Sequence, residues 1–91
     1  MKKIIMFIRQ GCPYCITARK AISELKQEYS RYSDIPIQMI DEELHPDTAD
    51  QYSYYYVPSL FIDNQKYYEC MPGDSADTIK EQIRKTLDAA A

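Results

Sequence analysis

Two cysteines, Cys12 and Cys15, separated by Pro13 and Tyr14, are the residues whose types and spacing can do chemistry. They follow a short apolar run and open a helical pattern. With Cys12 as cap and Pro13 at the first helical position, the proline is tolerated, because the N–H it lacks has no helical partner there. The Cys12 sulfur then stands at the positive end of the helix. Free N–H groups of Tyr14 and Cys15 can point at it and favour thiolate over thiol. A thiolate is the nucleophile of disulfide exchange. Cys15 lies on the same helix face, close enough to close a disulfide with Cys12. The same spacing builds half of a zinc site, but structural zinc takes a second pair of ligands. Cys70 and His45 remain, and neither belongs to a pair. Redox chemistry is the expectation and metal binding the alternative, with no metal ligands assigned. Cys70 reads as a structural thiol behaving as a small hydrophobe, and His45 as a loop residue.

The elements that must position this pair are short. Lys3 to Ile8 is apolar on both faces and predicts a central strand. Gly11 lets the chain turn sharply into Cys12. From Pro13 the period becomes helical, with Cys15, Ala18, Ile22, Leu25 and Tyr29 on one row. Cys15 heads that core-facing row and is therefore expected to be more buried than Cys12. Arg19, Lys20, Glu24, Lys26 and Glu28 form the solvated face. Ile35 to about Asp41 predicts a second strand, placed at an edge by Pro36, which cannot donate to a ladder. A strand, helix and strand in this order give a right-handed unit with parallel strands. Pro46 starts a short helix to about Tyr54. Leu60 to Ile62 and Lys66 to Cys70 form a hairpin about a turn at Asp63 to Gln65. Asp74 or Ser75 caps a last helix with apolar row Ala76, Ile79, Ile83 and Leu87, and the trailing alanines fray. The prediction is an α/β chain ordered β-α-β-α-β-β-α. It has a mixed four-stranded sheet, second strand outermost beside the first, then the third and fourth, and helices on both faces.

Ninety-one residues with a net charge of −3 predict a single domain, 1–91, and no electrostatic footprint for nucleic acid. The apolar run Ile4 to Ile8 is shorter than the core of a secretory leader, and no stretch is long enough to span a bilayer. Three cysteines, an odd count, suit a reducing compartment, so a cytoplasmic location is expected.

The run Phe7 to Cys15, the Cys-Pro-Tyr-Cys tetrapeptide at a strand-to-helix junction, the pair Val57-Pro58, the element order and the length together resemble a dithiol glutaredoxin of the thioredoxin-fold superfamily. The resemblance spans about Lys3 to Leu87. Thioredoxins proper carry an extra strand and helix ahead of their cysteines, for which the residues before Cys12 leave no room. The resemblance implies a thioredoxin-like fold and a cis bond at Val57-Pro58 lying against the cysteine loop. It further implies that Val57 offers its backbone N–H and C=O to substrate as a short strand pairing. Arg9 is implied to lower the Cys12 pKa and to receive a carboxylate of glutathione, and Tyr14 to flank the sulfur and pack on the bound tripeptide.

The family's glycine pair beyond the cis proline is replaced here by Tyr68 and Glu69. Asp74, Ser75 and the N-terminus of the last helix are the groups left to hold the γ-glutamyl end. Glu69 is expected to repel the tripeptide if it faces the groove. Tyr52, Tyr54, Tyr55 and Tyr56 crowd the approach to Val57, some as core and others exposed as a groove wall. The implied activity is thiol–disulfide exchange. Cys12 attacks a protein disulfide or a glutathione mixed disulfide, Cys15 resolves the product, no cofactor is bound, and glutathione is the co-substrate of a monomer. The alternatives are a thioredoxin-like electron donor recycled by a flavoprotein reductase, and a zinc or iron–sulfur protein.

Overall fold

Apolar residues on both sides of the first strand place it inside the sheet. In the computed structural model, which describes residues 1–91, β1 (Ile4–Ile8) lies between β2 (Ile37–Asp41) and β3 (Ser59–Ile62). β1 runs parallel to β2 and antiparallel to β3, and β4 (Gln65–Glu69) closes the order β2-β1-β3-β4. Alternation along these strands sends two sets of side chains to two layers. Ile4, Met6, Leu60 and Ile62 pack under α1 (Pro13–Glu28) and α3 (Ala76–Ala90), meeting Ala18, Ile22 and Leu25 from the first helix and Ile79, Ile83 and Leu87 from the last. Phe7 and Phe61 face the opposite way, against Ile40, Ala49 of the single-turn α2 (Pro46–Ala49), Tyr52, Tyr54 and Val57. Full burial of an aliphatic side chain such as Leu60 or Ile83 is worth about 1.5–3 kcal/mol, so the larger layer anchors the fold. The smaller one backs the loop that carries Val57.

Several boundaries differ from the sequence reading. The second strand starts at Ile37, because Pro36 lies ahead of the ladder, where its carbonyl accepts the Ile4 N–H at 2.9 Å. The first helix stops at Glu28, and Tyr29 turns extended. Its ring is partly exposed, and Tyr32, in the 3-10 turn Ser30–Tyr32, is the aromatic buried there instead. The Tyr32 hydroxyl donates to Asp88 and so ties that turn to α3. The predicted helix from Pro46 to Tyr54 is one turn long, since Tyr52 and Tyr54 leave the helical path to pack on Phe7, with ring centroids 4.8 and 4.9 Å away. The terminal alanines do not fray. Ala90 is buried, and its carbonyl accepts the Lys2 N–H at 2.8 Å.

The hairpin turns on two residues, Asp63 and Asn64, both at positive φ, so β4 begins at Gln65. These are residue types whose short polar side chains tolerate that conformation. Between Leu60 and Phe61 the register shifts. Leu60 pairs with Tyr68 and Phe61 with Lys66, leaving Tyr67 as the extra residue of a β-bulge.

Candidate active site

β1 delivers the chain to a loop in which Gly11, at φ +80°, makes the sharp turn that the sequence assigned to it. Cys12 follows in extended conformation as the cap of α1, with Pro13 at the first helical position. Its carbonyl accepts the Ile16 N–H at 3.1 Å, the first bond of the helix. Its side chain makes no capping bond, which corrects the expectation that the Tyr14 and Cys15 N–H groups point at the sulfur. The thiol instead donates to the Val57 carbonyl, at 3.9 Å. Val57-Pro58 is a cis peptide bond, and the Pro58 carbonyl accepts the Cys70 N–H at 2.9 Å. The Val57 N–H makes no hydrogen bond within the chain.

The two cysteines sit in different surroundings. Cys12 is half-buried, whereas Cys15 is 3% exposed. Burial pushes the Cys15 thiol up to about 12, opposed by the Arg9 backbone and reinforced by the neighbouring Cys12 sulfur. Burial also raises Cys70, whose thiol donates to the Met71 carbonyl at 3.8 Å. Because thiolate is the reactive form, iodoacetamide at neutral pH is expected to alkylate Cys12 and to spare Cys15 and Cys70. Labelling of Cys15 appears only as the pH climbs toward 12. Peptide mapping by mass spectrometry reads this directly, and equal labelling of all three cysteines at pH 7 would contradict it.

Arg9 does not turn to the sulfur. Its guanidinium is ion-paired with Glu42 at 2.8 Å and stands 3.9 Å from Glu43. Glu42 also accepts the Tyr54 hydroxyl at 2.8 Å, so this pairing is fixed from the tyrosine layer. A cavity of about 310 Å³ runs beside Cys12 and Cys15, walled by Ile16, Arg19, Asp41 and Leu44. On the far side of Arg9, a second cavity of about 370 Å³ is lined by Tyr52, Tyr54 and Tyr55 with Glu42, Glu43 and Asp50.

The groups implied to hold glutathione come together, but they bond to one another. The Tyr14 hydroxyl accepts the Gly73 N–H at 2.7 Å. Asp74 accepts the Tyr68 hydroxyl at 2.8 Å and the Met71 N–H at 3.0 Å, bonds that lower its pKa. Ser75 caps α3 by accepting the Thr78 N–H at 3.1 Å. Glu69 does not face the groove. One of its oxygens accepts both the Tyr55 and the Tyr56 N–H, at 2.6 and 2.7 Å, and the other pairs with Lys66 at 2.7 Å. Sequence reasoning missed Glu69 as a partner of the Val57 loop, because nothing near it in the chain points to backbone donors thirteen and fourteen residues earlier. Tyr52 and Tyr54 are packed inward, while Tyr55 is 90% exposed and Tyr56 partly so. No group of three or more His, Cys, Asp or Glu side chains is placed to hold a metal ion. No helix is long and apolar enough to cross a membrane.

A family model described as a glutaredoxin-like domain (DUF836) matches residues 3–88. Among solved structures, thioredoxin 1 from Thermosipho africanus is similar with a TM-score of 0.56 and 24% identity, over 96% of either chain. Reduced Escherichia coli glutaredoxin aligns with a TM-score of 0.55 and 23% identity, over 94% of this chain and 98% of that one. A mutant thioredoxin from Halobacterium salinarum gives 0.58 and 21%, over 91% and 72%. No protein with a curated description matches in sequence. The structural likenesses establish the α/β thioredoxin-like fold, with its mixed four-stranded sheet.

Proposed function

The chain belongs to the glutaredoxin-like domain family, and on that premise we propose that it is a thiol–disulfide oxidoreductase reducing protein disulfides or glutathione mixed disulfides through Cys12 and Cys15. The observation that carries this reading is the half-buried Cys12 at the start of α1, facing the Val57 carbonyl, with the buried Cys15 one turn behind it. Cys12 thiolate attacks one sulfur of the substrate disulfide and expels the other as a thiolate, which takes up a proton. Cys15 then attacks the Cys12 sulfur, its own proton passing to the departing second thiolate. The substrate gains two electrons and the protein is left with a Cys12–Cys15 disulfide. Two thiols, or a dithiol reductase, restore it. Cys15's raised pKa keeps it out of the first attack, and the mixed disulfide gives it a sulfur to attack one helical turn away. The proposal places a monomer with no bound cofactor in a reducing compartment, the cytoplasm.

The family resemblance points to glutathione as co-substrate, whereas one observation favours recycling by a flavoprotein reductase. Tyr14, Asp74 and Ser75 spend their bonds on Gly73, Tyr68, Met71 and Thr78, and Arg9 spends its charge on Glu42. A tripeptide binding there displaces internal partners. Turnover of a glutathione mixed disulfide is compared with glutathione, glutathione reductase and NADPH on one side, and thioredoxin reductase and NADPH on the other. Faster turnover with the second couple is expected. Tyr14→Phe frees the Gly73 N–H and should raise glutathione-dependent turnover about tenfold, the worth of one hydrogen bond to a charged group. Rapid glutathione turnover by the unaltered protein, unchanged in Tyr14→Phe, would make glutathione the natural reductant. Absence of exchange with either couple would remove the oxidoreductase reading.

A further inference from the structure

The segment from Tyr55 to Pro58 is held from several sides, and one residue does most of the holding. Glu69 ends β4 opposite Ser59, and its side chain is 12% exposed. A single carboxylate oxygen accepts the N–H groups of both Tyr55 and Tyr56, while the second oxygen is neutralised by Lys66. The Ser59 hydroxyl donates to the Tyr56 carbonyl, and the Pro58 carbonyl takes the Cys70 N–H. Among the N–H groups of this segment, only that of Val57 lacks a partner, since Pro58 has none to give. Tyr55 and Tyr56 stand exposed to one side of Val57, and Met71 is exposed too. A polypeptide reaching Cys12 can pair with Val57 and cover these side chains, whereas a small disulfide needs only the sulfur.

We propose that Glu69 is a positioning residue that presets Tyr55, Tyr56 and Val57 as a rigid edge for an extended polypeptide, so that this chain selects protein disulfides over small ones. The inference rests on the exchange reaction proposed above. The physical basis is pre-organisation. An edge fixed before binding does not charge its ordering entropy to the complex. Two charge-assisted hydrogen bonds onto one loop are strong enough to fix it, and the Lys66 pairing removes the repulsion an unneutralised carboxylate would exert on an anionic partner.

The test compares insulin, a protein disulfide, with hydroxyethyl disulfide, a small one, under dithiothreitol as terminal reductant. Glu69→Ala is expected to raise KM for insulin about tenfold, the cost of ordering on binding an edge that is no longer held beforehand. Its kcat for insulin and its turnover of hydroxyethyl disulfide stay at the level of the unaltered protein. Glu69→Gln can keep an amide oxygen on both N–H groups and should hold KM near the original value. A fall in both substrates together, or an unchanged insulin KM in Glu69→Ala, overturns the proposal. Amide hydrogen exchange on the unaltered protein gives an independent reading that does not depend on a variant folding. Tyr55 and Tyr56 N–H are expected to exchange more slowly than Val57 N–H, and the reverse order overturns the proposal as well. Failure of the unaltered protein to reduce either disulfide instead removes the exchange reaction itself.

Discussion

Cys12→Ser is expected to reduce disulfide exchange to background with every substrate, and Cys15→Ser to accumulate substrate covalently on Cys12. The asymmetry follows from where the two sulfurs lie. Cys12 is half-buried at the mouth of α1, whereas Cys15 is 3% exposed and held as a thiol at neutral pH. A serine hydroxyl in place of Cys12 supplies no nucleophile of comparable ionisation, so the first bond never forms. With Cys15 replaced, the first attack proceeds and the mixed disulfide has no internal thiol to open it. Protein substrates then appear as a mixed species on non-reducing gels, confirmed by intact mass. Glutathione mixed disulfides retain part of their turnover, since an external thiol can open that bond. Full activity in Cys12→Ser, or trapping on Cys15, would reverse the assignment of roles.

Phe7→Ala is expected to lower stability by about 3–5 kcal/mol, the usual cost of deleting a buried aromatic ring. Against a total of about 5–15 kcal/mol for an ordinary domain, this is a large fraction. Phe7 is fully buried and forms the centre of the smaller layer, stacked on Tyr54, tilted against Tyr52 and edge-on to Phe61 at 5.8 Å. The other layer keeps its aliphatic packing, so the cavity opens beneath the tyrosine loop. Exchange activity should fall beyond the loss of folded protein, because Val57 packs against the same layer. Chemical denaturation with activity measured in the pretransition region separates the two effects. A cost under about 1 kcal/mol would mean that the surrounding rings collapse into the space, since cavity cost depends on such relaxation.

Periodicity and punctuation carried much of the architecture. The two-residue alternation of the strands, the three-and-four row through Cys15, Ala18, Ile22 and Leu25, and the proline at the helix start were enough to order the elements, place the second strand at the sheet edge and bury Cys15 more deeply than Cys12. Local pattern failed where tertiary packing overrode it. Tyr52 and Tyr54 left a helical path for the rings of Phe7 and Phe61, and Tyr32 took the interior position that the row offered to Tyr29. The candidate site was read in its cysteines and in Val57-Pro58, but its polar groups were not. Tyr14 meets Gly73 across fifty-nine residues, and Arg9 is drawn to Glu42 rather than to the sulfur. Side-chain pairings over such separations leave no local trace in composition or spacing. They decide which groups remain free for a ligand.

Side chains alternate along a strand, so the extra residue at Tyr67 reverses the parity of everything beyond it in β4. Opposite Leu60, Tyr68 falls among the buried residues under α1 and α3. Opposite Ser59, Glu69 falls on the other side, where the Tyr55 and Tyr56 amides lie. Were Tyr67 a regular ladder residue opposite Leu60, alternation would bring Tyr68 round to the tyrosine loop and send the carboxylate of Glu69 toward the oily interior. A single bulged residue thus resets the phase of the strand. It lets one neighbour face the core and the other the site, and deleting Tyr67 would leave a regular ladder with Tyr68 still opposite Leu60 and Glu69 still opposite Ser59.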